Sequence, residues 1–364
     1  MLPKYDVHVA VVGLGFGRAF APIYRAHPAV RQVTVCDPNA DLLHEVAKEI
    51  EADGACLDLG DILRNPEIDA VHLLTPLFLH FEQTVQVLES AKHCACAVTM
   101  GMNLVQLSEV VNLVRRTGLR YMMMETAVYT REFLFAQSMR DRGELGQITF
   151  LQANYFQDLE AAYPDYWRRV PPMLYATHAV APLLSLAQSR ASKVSCLGAG
   201  RLRFDIDNHE RNPFPMQTAI FRLEGHDAAA QVNRAWYQTA KDYVESFSVY
   251  GDRRGFEWQQ FEHEDPVVYE LDPAQNQWRW RGSPGRRTPV PFRPDILPPE
   301  LASFADGGHG GSHPHLVHEF VSSIVENRPS AIHEGVAADW CAAGICAHES
   351  SLREGEWVGI PRFD

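Results

Sequence analysis

The first 125 residues alternate between two hydrophobic periods, and few folds accept such a chain. Continuous apolar runs stand at 8–13 (HVAVVG), 32–37 (QVTVCD), 69–75 (DAVHLLT), 93–98 (HCACAV) and 120–125 (RYMMME). Between them lie helical patterns at 17–26, 40–52, 80–91 and 104–117. In the second of these, Leu42, Leu43, Val46, Ala47 and Ile50 fall on one face at helical spacing. Unbroken apolar strands separated by helices predict a parallel sheet covered on both faces, a doubly wound α/β domain.

After about residue 145 the pattern changes. Long, partly alternating runs at 146–157, 192–202, 215–225, 228–238 and 245–262 are joined by short turns. They predict an open, mostly antiparallel or mixed sheet. The stretch 172–187 (PMLYATHAVAPLLSLA) reads as a helix lying on that sheet, and 282–311, rich in Pro, Gly and Arg, reads as a surface loop. Two helices are expected at 313–327 and 335–352. A chain of 364 residues is long for one core, so two domains are expected, over 1–126 and 127–364. The C-terminal helices could pack back on the first.

Charge narrows the function classes. A formal net charge of −13 argues against a nucleic-acid partner, which needs clustered Lys and Arg. No apolar run reaches the ~18 residues of a membrane span, and the start, MLPKYDVHVAVVG, reads straight into a strand with no cleavable signal. Seven cysteines, an odd number, are expected to be reduced and mostly buried in a cytoplasmic protein. Cys94 and Cys96 in CACAVTMGM are read as small side chains of a buried strand, because no CxxC pair accompanies them.

The stretch VVGLGFGRAF ends the first strand and opens a helix. Gly13 suits the tight turn, and Gly15 lets backbone approach a pyrophosphate at the helix N-terminus. The third glycine of GxGxxG would fall at Arg18; Gly17 and Ala19 beside it could supply the close helix–sheet packing instead. Taken alone, the motif equally fits a ligand-free glycine turn. Asp37 ends the second strand, where a carboxylate accepts bonds from ribose hydroxyls and repels a 2′-phosphate, which points to NAD. Phe16 lies in the turn, Thr75 and Pro76 stand at the sheet's carboxyl edge, and His80 opens the next helix.

These features, with MMME closing a strand and RGELGQITFLQA opening the second half, resemble the Gfo/Idh/MocA family of NAD(P)-dependent oxidoreductases over nearly the whole chain. The resemblance implies a Rossmann domain followed by an α/β domain for substrate binding and oligomerisation. It implies a homodimer or homotetramer formed through the open sheet, and redox chemistry at a sugar or polyol carbon. Most relatives end the fifth strand in Glu-Lys-Pro; here the place is Ala97-Val98-Thr99, without the lysine, and Thr99 retains one hydrogen-bond donor. LYATHAVAP (174–182) is similar to the Tyr-x-x-His helix of one branch, the oxidoreductive NAD-dependent glycoside hydrolases represented by α-N-acetylgalactosaminidases. The same branch has counterparts of METAVY, giving Glu125 and Tyr129, and of the His-Gly-Gly loop in DGGHGGSH, giving His309. Arg168 or Arg169 would fill its arginine position.

Hydride transfer from a carbinol needs a group to take the hydroxyl proton, and a histidine titrating near neutrality suits that task. Tyr175 and His178, at i and i+3 on one helix, share a face. The competing reading makes them core residues anchoring the helix. Glu125 at the strand end is the third catalytic candidate, or else a structural partner of an Arg or a helix N-terminus. Tyr129, Arg168, Arg169 and His309 are candidate substrate ligands. Tyr155, Tyr163 and Trp167 could stack on sugar faces, or pack a loop. Arg168, Arg169, Arg234 and Arg281 would suit an anionic sugar, or lie on the surface. His309, His313, His315 and His318 lack metal-site spacing, so no metal is expected. The expected activity is hydride transfer to NAD from a sugar ring carbon, C3 by the resemblance. It is followed either by elimination and water addition, giving net hydrolysis, or by release of NADH. A non-catalytic NAD- or sugar-sensing regulator is the alternative from another class.

Overall fold

The computed structural model describes residues 7–160, 164, 166–167, 170–203, 213–261, 263–272 and 285–363. The chain divides into two compact units. One comprises Met1–Thr130, Phe292–Ala338 and Phe363–Asp364; the other comprises Arg131–Pro291 and Asp339–Arg362.

The first unit is built on a parallel sheet of β1 (Val7–Val12), β2 (Val30–Cys36), β3 (Gly54–Cys56), β4 (Ala70–Leu73), β5 (His93–Ala97) and β6 (Tyr121–Met124). Their order is β3-β2-β1-β4-β5-β6, and every pairing is parallel. All residues of β1, β4 and β6 are buried, as a sheet covered on both faces requires. The order reverses between β1 and β4, the switch point where ligands bind beyond the strands' carboxyl ends. The connections are α1 (Leu14–Gly17), α2 (Ala21–Ala26), α3 (Ala40–Glu49), α4 (Leu59–Arg64), α5 (His80–Glu89) and α6 (Leu104–Thr117). Asn39 and Asn103 cap α3 and α6 through their side chains, and Gly118 ends α6 at φ 70°.

Sequence periodicity merged α1 and α2 into one helix at 17–26. The structure separates them, and Pro22 opens the second one, where its missing N–H costs nothing. β3 and α4 escaped the sequence reading because β3 is a three-residue edge strand with no fully buried position. Cys94 and Cys96 lie in β5 with both side chains fully buried.

The second unit opens with α7 (Arg131–Asp141). Its sheet holds β7 (Ile148–Phe156), β8 (Ala191–Ala199), β9 (Met216–Leu223), β10 (Ala229–Ala235), β11 (Val244–Gly251), β12 (Arg254–Trp258), β13 (Val267–Glu270) and β14 (Arg286–Arg287). Among the described residues they form, with β15 (Val358–Gly359), a sheet of nine strands in the order β14-β13-β12-β11-β7-β10-β9-β8-β15. Pairing is antiparallel except between β10 and β7, which run parallel, so the sheet is mixed. The predicted strand at 245–262 is a hairpin, β11 and β12, turned at Asp252-Arg253.

α8 (Thr177–Ala187) lies on this sheet, against β7, β10 and β11. Every residue of it except Ser185 is buried, the signature of a helix enclosed on all sides. The opposite sheet face carries polar rungs: Asn233 donates to Asn154 at 2.8 Å, and Thr218 donates to Asn233 at 2.5 Å.

The first unit is completed by α9 (Gly308–Val325), which starts earlier than the sequence predicted. His309, Gly310 and Gly311 within it have φ values of 44°, 64° and 83°, so regular helix begins only at Ser312. α10 (Glu334–Leu352) follows; from Asp339 onward it belongs to the second unit.

Candidate functional site

The residues predicted to bind a dinucleotide converge at the carboxyl edge of the first sheet. Gly13 has φ 90°, and a Cβ there would sit 2.7 Å from the Leu74 carbonyl oxygen, so only glycine fits. Its amide donates to the Cys36 carbonyl at 2.9 Å, tying the turn to the end of β2. The next amide, Leu14 N–H, donates to Asp37 Oδ2 at 2.7 Å, while Asp37 Oδ1 accepts the Asn39 amide at 2.8 Å. Each carboxylate oxygen keeps a lone pair for a further donor. A Cβ at Gly15 would meet nothing within 4 Å, so the turn faces open space there. Phe16, at 40% exposure, borders it.

Gly17 supplies the packing role usually given to the third glycine. A Cβ there would lie 2.9 Å from Val11 Cγ1 and 3.3 Å from Leu74 Cδ1. Arg18, at the motif's third position, points away and pairs with Glu45 at 3.0 Å and Glu49 at 2.7 Å. These are features of a dinucleotide cradle: a turn that excludes side chains, an open approach to helix amides, and an oriented carboxylate.

Along the same edge, His80 is fully buried and links two strand ends. Its Nδ1 lies 2.9 Å from the Thr99 carbonyl oxygen, and its Nε2 lies 2.7 Å from that of Thr75. Burial lowers its pKa, against the pull of these two carbonyls. Thr75 donates through its hydroxyl to Gln83, and Pro76 precedes the short 3-10 turn Leu77–Leu79. Val98 and Thr99 are buried at 6% and 1% exposure.

Glu125 is buried and accepts the Ala127 amide through Oε1 at 3.0 Å, capping a 3-10 turn that ends at Tyr129. The Tyr129 ring stacks on His315 at 6.4 Å. His309 is exposed, with its ring 5.6 Å from Phe16. The structure thus sets His309 beside the glycine turn. His318 meets His27 at 3.1 Å. Among the described residues no cluster of three or more His, Cys, Asp or Glu could hold a metal ion.

The proton-transfer candidates lie in the second unit, where a row of side chains crosses the sheet on its α8 side. Register pairs Glu245 with Tyr155, Tyr155 with Arg234, and Arg234 with Gln217. Tyr175 and His178 come from the 3-10 turn Pro172–Tyr175 and the first turn of α8. Their rings meet edge-on at 5.4 Å. Tyr155 contacts His178 at 5.5 Å, and Trp236 and Trp167 each contact Tyr175 at 5.1 Å. The turn is anchored from three sides. Gln217 accepts the Met173 amide at 2.8 Å, and its Nε2 reaches His348 and Ser351. Gly344 of α10 leaves no room for a side chain, since a Cβ there would meet the Met173 carbonyl at 2.2 Å. Arg234 Nε donates to the Tyr175 carbonyl at 3.2 Å.

Arg234 is not a surface arginine; it is fully buried. The alternation of Ala230, Val232 and Arg234 along β10 already put it on the covered face. Trp236 and Gln217 were missed altogether; no motif marks them, and only the cross-strand register reveals their places. Arg168, Arg169, Tyr163 and Arg281 lie outside the described residues.

Comparison with known proteins agrees with this geometry. Residues 7–125 match the sequence model of the GFO_IDH_MocA family, described as "Oxidoreductase family, NAD-binding Rossmann fold". A "Glycosyl hydrolase family 109 protein 1" of Phocaeicola vulgatus is 27% identical over 50% of this chain and 43% of its own length. A "Glycosyl hydrolase family 109 protein" of Streptomyces niveus is 24% identical over 99% of this chain and 78% of its own. The chain spans about half the length of the first curated relatives it matches. Among solved structures, a levoglucosan dehydrogenase in complex with NADH and levoglucosan superposes with a TM-score of 0.80. It is 20% identical over 98% of this chain and 100% of that one, a likeness of fold.

Proposed function

We propose that the chain is an NAD-dependent oxidoreductase acting on a sugar or glycoside, a reading supported by the match of residues 7–125 to the NAD-binding Rossmann model of the Gfo/Idh/MocA oxidoreductase family. The observation that carries this reading is the Gly13 turn held by the Asp37 carboxylate. Leu14, Gly15, Phe16 and Gly17 would receive the pyrophosphate and Asp37 the adenine ribose; Thr75, Pro76, His80 and Thr99 would border the nicotinamide half. NAD supplies a hydride acceptor when bound.

Tyr175 or His178 takes the hydroxyl proton as a ring carbon, C3 in this proposal, becomes a ketone. Glu125 is assigned to the same chemistry as a carboxylate base or hydrogen-bond acceptor. Tyr129, Arg168, Arg169 and His309 are assigned to substrate. A ketone at C3 acidifies the C2 proton, so the C1 substituent can leave by elimination. Water addition and return of the hydride then complete a net hydrolysis. The curated relatives named as glycosyl hydrolases favour this longer sequence over a dehydrogenase that releases NADH. The open sheet face is proposed to join copies of the chain, and the free cysteines suit the cytoplasm.

The deciding experiment supplies a panel of glycosides and free sugars with a trace of NAD. Sugar release without accumulation of NADH, and with loss of deuterium from a C2-labelled glycoside, is the expected outcome. Full retention of C2 deuterium during cleavage rules out the elimination route, and NADH formed in proportion to the sugar when NAD is supplied in excess identifies a dehydrogenase.

A further inference from the structure

Among the described residues of the second unit, Arg234 is a fully buried cation whose hydrogen bonds go to backbone carbonyls. Its guanidinium carbon lies 3.6 Å from the Tyr155 ring centroid and 3.8 Å from that of Trp236. Its donors go to backbone carbonyls: Nε to Tyr175 at 3.2 Å, and Nη1 to Tyr155 at 3.2 Å and Ala235 at 2.5 Å. Nη2 has no partner. Glu245 and Tyr243, the neighbouring acidic groups on and before β11, are bonded to each other. Burial lowers the arginine pKa to about 10, against the pull of Tyr155, Tyr175, Tyr243 and Glu245, so it stays charged at neutral pH.

Burying a charge is expensive, and a fold that needed only packing here would carry an apolar side chain. What this arginine holds is specific. Tyr155 and Trp236, the rings against its two flat contacts, are the rings that touch His178 and Tyr175. Its Nε bond fixes the carbonyl of Tyr175 itself. Only a planar fork can stack on rings and reach three carbonyls at once; a lysine ammonium cannot.

We propose that Arg234 is the positioning residue of the Tyr175–His178 pair, a buried planar cation that fixes the turn and the rings from which both side chains project. The proposal rests on the functional reading above for its catalytic consequence, but its structural part stands apart from it.

The test uses the whole chain with Arg234→Ala and Arg234→Lys, each checked for folding by its unfolding transition. The expected result is a loss of about 100-fold in kcat with KM little changed, as follows from a small misplacement of reacting groups. Lysine is expected not to restore the rate, and methylguanidinium added to Arg234→Ala is expected to restore part of it, while methylammonium at equal ionic strength does not. An independent readout is the His178 ring resonance, assigned by its loss in His178→Asn. It should shift in Arg234→Ala and return with methylguanidinium, whether or not a substrate is known. Should Arg234→Ala not fold, Arg234→Lys carries the same resonance test. Unchanged kcat in a folded variant, full activity with lysine, or an unmoved His178 resonance overturns the proposal. Absence of turnover by the wild-type chain on every sugar tested would instead sink the functional reading and leave the resonance arm to decide.

Discussion

The Asp37 carboxylate accepts the Leu14 amide at 2.7 Å, so the residue expected to bind ribose also holds the glycine turn in place. Asp37→Ala should therefore act twice. It should lower stability by about 1.5–3 kcal/mol, the usual worth of bonds to a charged acceptor. It should also weaken NAD binding more than tenfold while narrowing the preference over NADP. Thermal unfolding and calorimetric titration with both nucleotides measure the two effects; a loss confined to stability refutes the ribose role.

Gly13 and Gly15 make an opposed pair. Gly13→Ala places a Cβ 2.7 Å from the Leu74 carbonyl in a left-handed conformation and should cost about 2 kcal/mol or more. Gly15→Ala meets nothing within 4 Å, so stability should hold within about 0.5 kcal/mol. Its effect should appear only as weaker cofactor binding. Equal losses of stability in the two variants would contradict the geometry of the turn.

Tyr175→Phe and His178→Asn remove one polar atom set each with little change of volume. Both should keep the unfolding transition near that of the parent and reduce turnover by about 10²–10⁴-fold, the usual share of a general acid or base. Steady-state assays on whichever glycoside proves active provide the check. Undiminished turnover in both variants would return these residues to the core.

The first unit should weaken in mild acid. Burial lowers the pKa of His27, His72 and His313 from 6.5 to about 3, and of His315 to about 4. Below 6.5 the unfolded chain binds protons that the folded chain refuses, so stability falls as pH falls and is level above that point. Each group contributes at most about 1.4 kcal/mol per pH unit. Urea midpoints between about pH 7 and 5.5, above the ordinary carboxylate range, should decline, and less steeply in His72→Phe. A flat profile in that interval would show that these rings are not buried as neutral imidazoles.

Much of the first unit was legible because a parallel sheet buried on both faces leaves unbroken apolar runs and a glycine at its first turn. The edge strand Gly54–Cys56 was not, since three residues with none buried make no period. The second unit gave up its longer strands but neither the short β13 and β14 nor its chemistry; β14 falls in the stretch read as a surface loop. Alternation along β10 places Arg234 on the covered face, but only the structure shows it lying against the Tyr155 and Trp236 rings. Nor does sequence show that His309, Gly310 and Gly311 turn left-handed in succession, because that follows from packing around Phe292 and Ala305.

The contact that Gly17 makes with Val11 and Leu74 frees the next position. Arg18, where the fingerprint's last glycine would stand, is exposed and bound only to α3 carboxylates, so it can change to almost any helix-compatible residue. A rigid spacing rule of two residues between the last two glycines would pass over this turn. The physical requirement is one small residue on the inner face of the first helical turn, and evolution can satisfy it one step out of phase.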